Sequence, residues 1–419
     1  MKQISIILMI VCSAVFASAQ EHAALRLSIK DAEQLFLDQN MELLAEKYNI
    51  KISEAERLQA RAWPNPEFSA EIAMWDKEDK KWFRSDYTAQ RVFEVSQMIE
   101  TAGKRKKRTE VADNNIKIAE LEFYEVMLEL KSELRLLFAD IYYLNEKKAR
   151  IDAGAGPLSN LIEGYSKLHA SGNFARAELT RLKSLQRSID KERLSLNHEL
   201  IELTTRLKLL LNLNPGTDLN LIMDGFKTTD PNALILANLI EQALNYRVDY
   251  QRELYLASKA GAEVRLAKAE GIPDLNIGAM YDRRGAEQWD YVGLTFSMDI
   301  PVFDRNKGEI KRSEFEKEQA EINVQKMQLT IESELFEAYA KLSQTHKTVS
   351  NIEADYMDNL DQMLAGALTS FEKRSISLIE FIDYFESYTE SLEDIYDLQL
   401  QLHSDMENMN FVSGYDLEN

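Results

Sequence analysis

Long proline-free segments limit what this chain can fold into more than any other feature. The 419 residues include 7 prolines and 15 glycines, and no proline lies between Pro66 and Pro157 or after Pro301. Proline interrupts helices because it lacks a backbone N–H and its ring clashes with the preceding turn. The two segments therefore favour very long helices over a compact α/β enzyme.

Both proline-free segments contain apolar residues at alternating spacings of four and three, with charged residues between them. This pattern predicts helices that pack against other helices as in a coiled coil. We expect the first of these helices to run from residue 104 to about residue 150. The two seams consist of Phe123, Met127, Leu130, Leu134, Leu137, Ile141 and Leu144, and of Ile382, Phe385, Tyr388, Leu392 and Ile395.

Residues 1–19 have the pattern of a secretory signal peptide. Lys2 precedes an apolar run at residues 4–16, and three small residues at 17–19 precede the expected cleavage site. The alternative is a short membrane anchor. The one cysteine, Cys12, lies inside this segment and follows Val11, whereas a lipoprotein site needs a small residue there. The mature chain is therefore predicted to be exported and to contain no disulfide.

Charge and motif content exclude several function classes. A net charge of -20 would repel a phosphate backbone and argues against nucleic-acid binding. A charged fraction of 29% is too high for a helical protein with many membrane spans. The histidines lack metal-ligand spacing, and the sequence contains neither a phosphate-binding glycine loop nor a nucleophile elbow. We therefore expect no catalytic residue, no cofactor and no metal site.

The chain resembles itself at a separation of about 200 residues. "EQLFLDQN" from Glu33 matches "EQALNYRV" from Glu241, and each is followed by a proline-led segment, "WPNPEFSAEIAMW" or "GIPDLNIGAMY". An ordered series of such matches favours an internal duplication. We predict a first repeat at 20–213, an equatorial linker at 214–235, a second repeat at 236–413 and a C-terminal tail at 414–419.

Each proline-led segment opens a β-hairpin in which apolar and polar residues alternate. The runs of about 9 to 11 residues match a tilted strand that crosses a bilayer, and aromatic residues lie near the hairpin tips. The alternative is a soluble hairpin with one buried face. Four strands cannot close a barrel alone, so membrane strands would need further copies of the chain. The apolar faces are Phe68, Ala70, Ile72 and Met74, and Val292, Leu294, Phe296, Met298 and Ile300; the aromatic residues are Trp75, Trp82, Phe83, Tyr87, Tyr281, Trp289 and Tyr291.

Two tandem copies of helix, β-hairpin and long helical hairpin behind an export signal resemble the TolC-type outer membrane efflux proteins. The resemblance covers essentially the whole mature chain. "WPNPEF" with "VSQMIETAGKRKKR" is most similar to the cation-efflux branch typified by CzcC and CusC. "FSMDIPVFDRNKGEIKR" resembles the exit of the family's second hairpin, with its turn at Pro301, Asp304, Arg305, Asn306 and Gly308.

The resemblance implies a mainly α fold with a small membrane β part. Each protomer of a homotrimer would give four strands to a twelve-stranded β-barrel in the outer membrane of a Gram-negative bacterium, continued by a periplasmic α-helical barrel. The trimer would contact outer membrane lipid, a periplasmic adaptor (membrane fusion) protein and, indirectly, an inner-membrane pump. It would conduct metal cations or drugs passively to the exterior. The alternatives are the outer membrane channel of type I protein secretion and a periplasmic coiled-coil adaptor or scaffold.

The resemblance also places functional residues at the two helix-to-helix turns and before the second turn. The adaptor-contact tip candidates are Ser171, Gly172, Asn173, Phe174, Lys373, Arg374, Ser375 and Ile376, and the channel-gate candidates are Asp355, Asp358, Asp361 and Leu364. A ring of symmetry-related aspartates would attract cations. The alternatives are turns that only connect and cap helices and aspartates on a solvated helix face.

Five consecutive basic residues follow the first hairpin: Lys104, Arg105, Lys106, Lys107 and Arg108. At the periplasmic rim of a membrane barrel, such side chains would extend to anionic lipid head groups. Cations at a helix N-terminus are slightly unfavourable, which favours an anionic partner outside the helix. The alternative is a merely solvated first helical turn.

Overall fold

The computed structural model describes residues 24–72, 74–77, 80–83, 90–173, 175–222, 229–284 and 289–417. The predicted signal peptide, Tyr87 and Phe174 lie outside these residues. The helices are α1 (Ile29–Gln39), α2 (Met41–Arg61), α3 (Lys104–Ala170), α4 (Arg176–Leu210), α5 (Leu236–Tyr246), α6 (Val248–Glu270), α7 (Lys307–Ser350), α8 (Tyr356–Glu372) and α9 (Leu378–Ser413). The strands are β1 (Leu25–Ser28), β2 (Glu67–Ile72), β3 (Trp75–Asp76), β4 (Lys81–Trp82), β5 (Arg91–Ile99), β6 (Leu219–Ile222), β7 (Leu275–Arg284) and β8 (Trp289–Met298).

Helix α3 contains 67 residues and is about 100 Å long at about 1.5 Å per residue. It does not end near residue 150, as the sequence predicted, but continues past Pro157 to Ala170. Ile151, Leu158 and Leu161 are buried in a common core on both sides of the proline. Packing of these side chains therefore holds the helix together where its hydrogen-bond ladder loses a donor.

The seam positions predicted from the spacing pattern are buried or half-buried. In α3, Leu134 and Leu137 belong to a core with β1, α1 and the end of α4. In α9, Phe385 and Leu392 belong to a second core with α4 and α8. The most buried aromatic residue of that core is Phe381, one position before the predicted start of the seam at Ile382. No described helix combines the length and apolar character of a membrane span.

Four strands form one antiparallel sheet in the order β2-β5-β7-β8. The register aligns Phe68, Val95, Ala279 and Leu294 across the sheet. Because side chains alternate along each strand, this row belongs to an apolar face. The next row, Glu67, Ser96, Gly278 and Thr295, belongs to a polar face. The predicted alternation is confirmed, but β2 has 6 residues rather than 9 to 11, and the chain continues into a separate β3-β4 pair.

The long helices follow the same order as the strands to which they connect. Near the sheet, α2 packs against α3, α3 against α6, and α6 against α7. Helices α2 and α7 thus lie at the two ends of this row, as β2 and β8 lie at the two edges of the sheet. Away from the sheet, α3 packs against α4, α8 and α9.

A short parallel pair, β1 with β6, joins the beginning of the chain to the predicted linker. Both halves of the chain continue with a short helix, a longer helix, a hairpin and a long helical hairpin. They differ at residues 351–355, where the second long helix is interrupted between α7 and α8. The repeat boundaries stay a prediction.

Candidate functional site

The first predicted tip turn ends α3 with a tight backbone motif. Gly172 has a left-handed φ of 81°, which glycine adopts without steric strain. Its N–H donates to the carbonyl of His169 at 2.9 Å, and the N–H of Asn173 donates to the carbonyl of Leu168 at 2.9 Å. These two hydrogen bonds form a Schellman motif.

The second turn, after α8, repeats this motif without a glycine. The N–H of Arg374 donates to the carbonyl of Phe371 at 2.9 Å, and the N–H of Ser375 donates to that of Ser370 at 2.8 Å. Arg374 has a left-handed φ of 60°, which costs about 1 kcal/mol for a residue with a side chain. The sequence difference between the turns therefore does not change their hydrogen-bond pattern.

Aromatic packing brings both turns to one end of the molecule. The rings of Tyr165 in α3 and Phe371 in α8 lie 5.4 Å apart, and Phe371 stacks on Phe381 of α9 at 5.0 Å. The tip candidates Ser171, Gly172, Asn173, Lys373, Arg374 and Ser375 are exposed, while Ile376 is half-buried against this core. The described tip residues thus form one exposed end over an aromatic core.

Three residues connect α3, α8 and α9 beside the predicted gate. The Arg150 guanidinium pairs with the Asp361 carboxylate, and the Tyr388 hydroxyl donates to Asp361 Oδ1 at 3.0 Å. Burial, followed by the hydrogen bond to Asp361, raises the pKa of Tyr388, so its hydroxyl stays a donor at neutral pH. We call Arg150, Asp361 and Tyr388 the latch.

The four gate candidates have different environments. Asp355 and Asp358 are exposed at the start of α8. Asp361 is held in the latch, and Leu364 is half-buried, with its Cδ2 beside Gly154 of α3. Asp355 and Asp358 are therefore available to line a channel, whereas Asp361 and Leu364 contact other helices of the same protomer.

The basic run connects the ends of the two hairpins. Lys104 is 7% exposed, and its ammonium group lies 2.8 Å from Asp274 Oδ2. Asp274 also accepts a 2.9 Å hydrogen bond from the N–H of Thr101. Although burial raises the pKa of Asp274, the hydrogen bonds from Lys104 and Thr101 lower it overall. This ion pair ties the beginning of α3 to the beginning of β7.

The other basic side chains have different partners. Arg108 binds Glu100 with both guanidinium ends, Arg105 lies 3.9 Å from the ring of Trp63, and Lys107 donates to the carbonyl of Ala102 at 2.6 Å. Lys106 is exposed. The anionic partners of Lys104 and Arg108 are thus carboxylates of this chain, and lipid contact by the run stays a prediction.

Each end of the helix row carries exposed apolar side chains along one face. The α7 stripe has four members, each seven residues after the last and 58% to 65% exposed: Phe315, Ile322, Leu329 and Phe336. The α2 stripe consists of Met41, Leu44, Tyr48, Ile52 and Leu58. Residues at these spacings return to one side of a helix. The two stripes leave apolar surface open at both sides of the protomer.

Sequence reasoning did not identify Arg150 and Tyr388, which contact the gate candidate Asp361. The pattern assigned Tyr388 to a packing seam, and Arg150 to the end of a helix. Within the described ranges, no group of three His, Cys, Asp or Glu side chains is arranged to hold a metal ion.

Comparison with known proteins identifies the fold. No family model matches the chain. The cobalt-zinc-cadmium resistance protein CzcC of Cupriavidus metallidurans is 21% identical over 369 residues, which cover 86% of this chain and 84% of CzcC. The outer membrane channel CmeC of Campylobacter jejuni superposes with a TM-score of 0.78 at 12% identity, covering 93% of this chain and 87% of CmeC. The outer membrane protein VceC of Vibrio cholerae superposes with a TM-score of 0.74 at 15% identity, covering 92% and 96%.

These similarities span nearly the whole of each chain. The predicted mainly α fold with a small β part is confirmed, and so is the resemblance from which it was drawn.

Proposed function

We propose that this chain, which has the fold of the TolC-type outer membrane channels, is the channel subunit of a tripartite efflux system in the outer membrane of a Gram-negative bacterium. The channel provides a passive path and catalyses no reaction. The relatives support this proposal, because CmeC is an outer membrane channel and CzcC is a resistance protein. The observation that carries it is the pair of open edges on each protomer.

The open edges fit a ring of identical protomers. Strands β2 and β8 lie at opposite edges of the sheet, and the α2 and α7 stripes lie at the corresponding sides of the helix row. Contact between the β8-α7 side of one copy and the β2-α2 side of the next is heterologous, and such contacts form a ring when the rotation between successive copies closes. Three copies supply twelve strands, as the family resemblance implies.

The two faces of the sheet fit a lipid exterior and a water-filled interior. The row of Phe68, Val95, Ala279 and Leu294 would face lipid, because apolar side chains that no other part of the protomer covers are stable against lipid chains. The opposite face carries Glu67, Ser69, Glu71 and Glu94, which would face the channel. Exposed tryptophan side chains at Trp75 and Trp82 lie beyond the end of β2, where an interfacial belt would lie.

The exposed tip turns are the proposed contact with a periplasmic adaptor, through which the pump is reached indirectly. They lie at the opposite end of the helices from the sheet, and the aromatic core beneath them holds them in fixed positions. Asp355 and Asp358 are proposed to face the channel near this end.

Divalent cations are the proposed substrate class. CzcC is a cobalt, zinc and cadmium resistance protein, and the net charge of -20 in this chain would concentrate cations rather than repel them. A deletion strain should become more sensitive to zinc, cobalt or cadmium, and the gene should restore resistance. Increased sensitivity to antibiotics and detergents alone would show that drugs, and not cations, are the substrates. Unchanged sensitivity to metals, antibiotics and detergents would refute efflux.

The tip can be tested in the same strain with Asn173→Trp combined with Ser375→Trp. Both positions are exposed. Ser375 contributes its backbone N–H to the turn, and Asn173 contributes its backbone N–H and a 3.3 Å hydrogen bond from its side-chain amide to Ser171 Oγ. We expect loss of most of the restored resistance, because two bulky rings would block the adaptor, while the trimer still assembles. Gly172 is left intact, because any side chain at its positive φ would strain the turn itself.

The control is Thr180→Trp combined with Ser184→Trp on the exposed face of α4, away from the turns. This variant should restore resistance as the wild type does. Equal resistance in both double variants would contradict the proposal that the turns contact the adaptor.

A further inference from the structure

A cavity of about 240 Å³ lies between α3, α8 and α9. Its walls are mostly apolar and include Gly154, Leu158, Leu364, Leu368, Phe381 and Phe385. An apolar protein cavity of about 150 Å³ is large enough for benzene. The cavity between these helices therefore has room for a molecule of one or two aromatic rings.

A residue at the open side of the cavity has a backbone carbonyl without its usual helical donor. The carbonyl of Ala153 would normally accept a hydrogen bond from the N–H four residues later, but Pro157 has no N–H. Both residues line the cavity. Ala153 and Pro157 are exposed at the open side of the cavity, and a bound molecule with an O–H or N–H group could supply the missing donor in place of water.

A glycine keeps the space open. A Cβ added at Gly154 would lie 3.1 Å from Leu364 Cδ2, 3.7 Å from Tyr388 and 3.8 Å from Phe385, all of which line the cavity. At Gly156, two residues along the same helix, an added Cβ would meet no atom within 4 Å. The two glycines therefore form a matched pair, of which one borders the cavity.

We propose that this cavity is a binding site for a small aromatic molecule that carries one hydrogen-bond donor. The ring lies among the leucine and phenylalanine side chains, and the donor binds the Ala153 carbonyl oxygen. The proposal does not depend on efflux. The ligand would contact α3 on one side and α8 and α9 on the other, the same helices that the latch connects.

The test uses 4-fluorophenol and 4-fluorotoluene, titrated by ¹⁹F NMR against the purified full-length protein in detergent, with empty micelles as the blank. Both probes should bind saturably. The phenol should bind about fivefold more tightly, as expected for one net hydrogen bond. Gly154→Leu should weaken both probes at least about tenfold, because the new side chain occupies the cavity, while Gly156→Leu should bind both as the wild type does.

Pro157→Ala tests the hydrogen bond separately. Alanine restores the N–H to the Ala153 carbonyl, so the preference for phenol over toluene should disappear, whatever the loss of the proline ring does to the affinity for toluene. This variant decides the proposal even where Gly154→Leu fails to fold. No saturable binding to the wild type, unchanged binding to a folded Gly154→Leu protein, or a phenol preference that survives Pro157→Ala would each overturn it.

Discussion

Asp361→Ala is expected to raise the open probability of the channel in planar bilayers by about two to three orders of magnitude. The substitution removes the contact with Arg150 in α3 and the hydrogen bond from Tyr388 in α9. A partly exposed ion pair and one hydrogen bond together contribute about 1 to 1.5 kcal/mol per protomer, or about 3 to 4.5 kcal/mol in a trimer. Opening that moves α8 away from both α3 and α9 would break both contacts in the wild type.

Two matched variants separate the latch from a general effect of charge. Glu372→Ala removes an exposed carboxylate from the same helix, and Arg193→Ala removes an ion pair with Asp152 that connects α3 to α4. Neither the exposed carboxylate nor the Arg193–Asp152 pair joins α3 to α8 or α9, so the open probability should change little in either variant. The latch would be refuted by an Asp361→Ala channel that opens no more often than the wild type, or no more often than Glu372→Ala.

Arg135→Met is expected to lower the thermal transition of the helical part by about 5 to 10 °C at pH 8. Arg135 is nearly buried and binds Glu33 of α1, Glu407 of α9 and Asp416 near the C-terminus. Removing it leaves the Glu407 carboxylate, 8% exposed, without a cation. An uncompensated buried charge costs about 3 to 5 kcal/mol, which corresponds to the stated shift for a large domain.

The effect of Arg135→Met should shrink as the pH falls from 8 to 5. Burial already raises the pKa of Glu407 although Arg135 lowers it, so the pKa rises further without the arginine. An acid with a raised folded-state pKa destabilises the fold at high pH, and protonation relieves this as the pH falls through that pKa. In the wild type, Arg135 lowers the pKa of Asp416. Because that lowered pKa lies below this pH range, the stability from the Asp416 carboxylate is present from pH 8 to pH 5 and does not change the stability difference between the wild type and Arg135→Met.

His403 also makes the stability difference between the wild type and Arg135→Met smaller at low pH. Burial and then the charge of Arg135 lower its pKa to about 4, so the wild type resists protonation of His403 and is less stable below the unfolded-state pKa of about 6.5. Without the charge of Arg135 the pKa of His403 is lowered less, so the variant loses less stability than the wild type when the pH falls. Differential scanning fluorimetry at pH 8 and pH 5 measures both effects. An equal loss at the two pH values would contradict the buried-charge explanation.

Arg312→Met is the control for the loss of an arginine. Arg312 lies on the exposed surface of α7 with Glu309 and Glu316, where solvent screens the pairs. Its thermal transition should match that of the wild type at both pH values. An equal decrease of the transition temperature in Arg312→Met would mean that the effect of Arg135→Met does not come from the buried position of Arg135.

Local patterns predicted the parts of this fold that depend on neighbouring residues. Seam positions such as Leu134 and Leu392 follow from helical spacing, and the alternation around Phe68 and Leu294 follows from the two-residue period of a strand. The positions of both tip turns were also predicted, because the family resemblance places a helix-to-helix turn at each of them. These patterns involve a few residues within one element.

The contacts between distant segments could not be predicted in this way. Arg150 and Asp361 are separated by 211 residues, and each is one of many charged residues on helix surfaces. The partners of Lys104 and Arg108 depended on where the second hairpin packs and on the turn before α3. The spacing pattern likewise ended α3 near a proline that tertiary packing allows the helix to pass.

The central claim is that this chain closes its open edges by forming a trimeric ring in the outer membrane. Native mass spectrometry of the protein extracted from isolated outer membranes tests it directly. The wild type should appear as three copies of the mature chain. Ile322→Glu with Leu329→Glu in the α7 stripe should dissociate it, whereas Asn323→Glu with Gln328→Glu, on exposed positions outside the stripe, should not. A wild-type monomer recovered in the soluble periplasmic fraction would contradict the account.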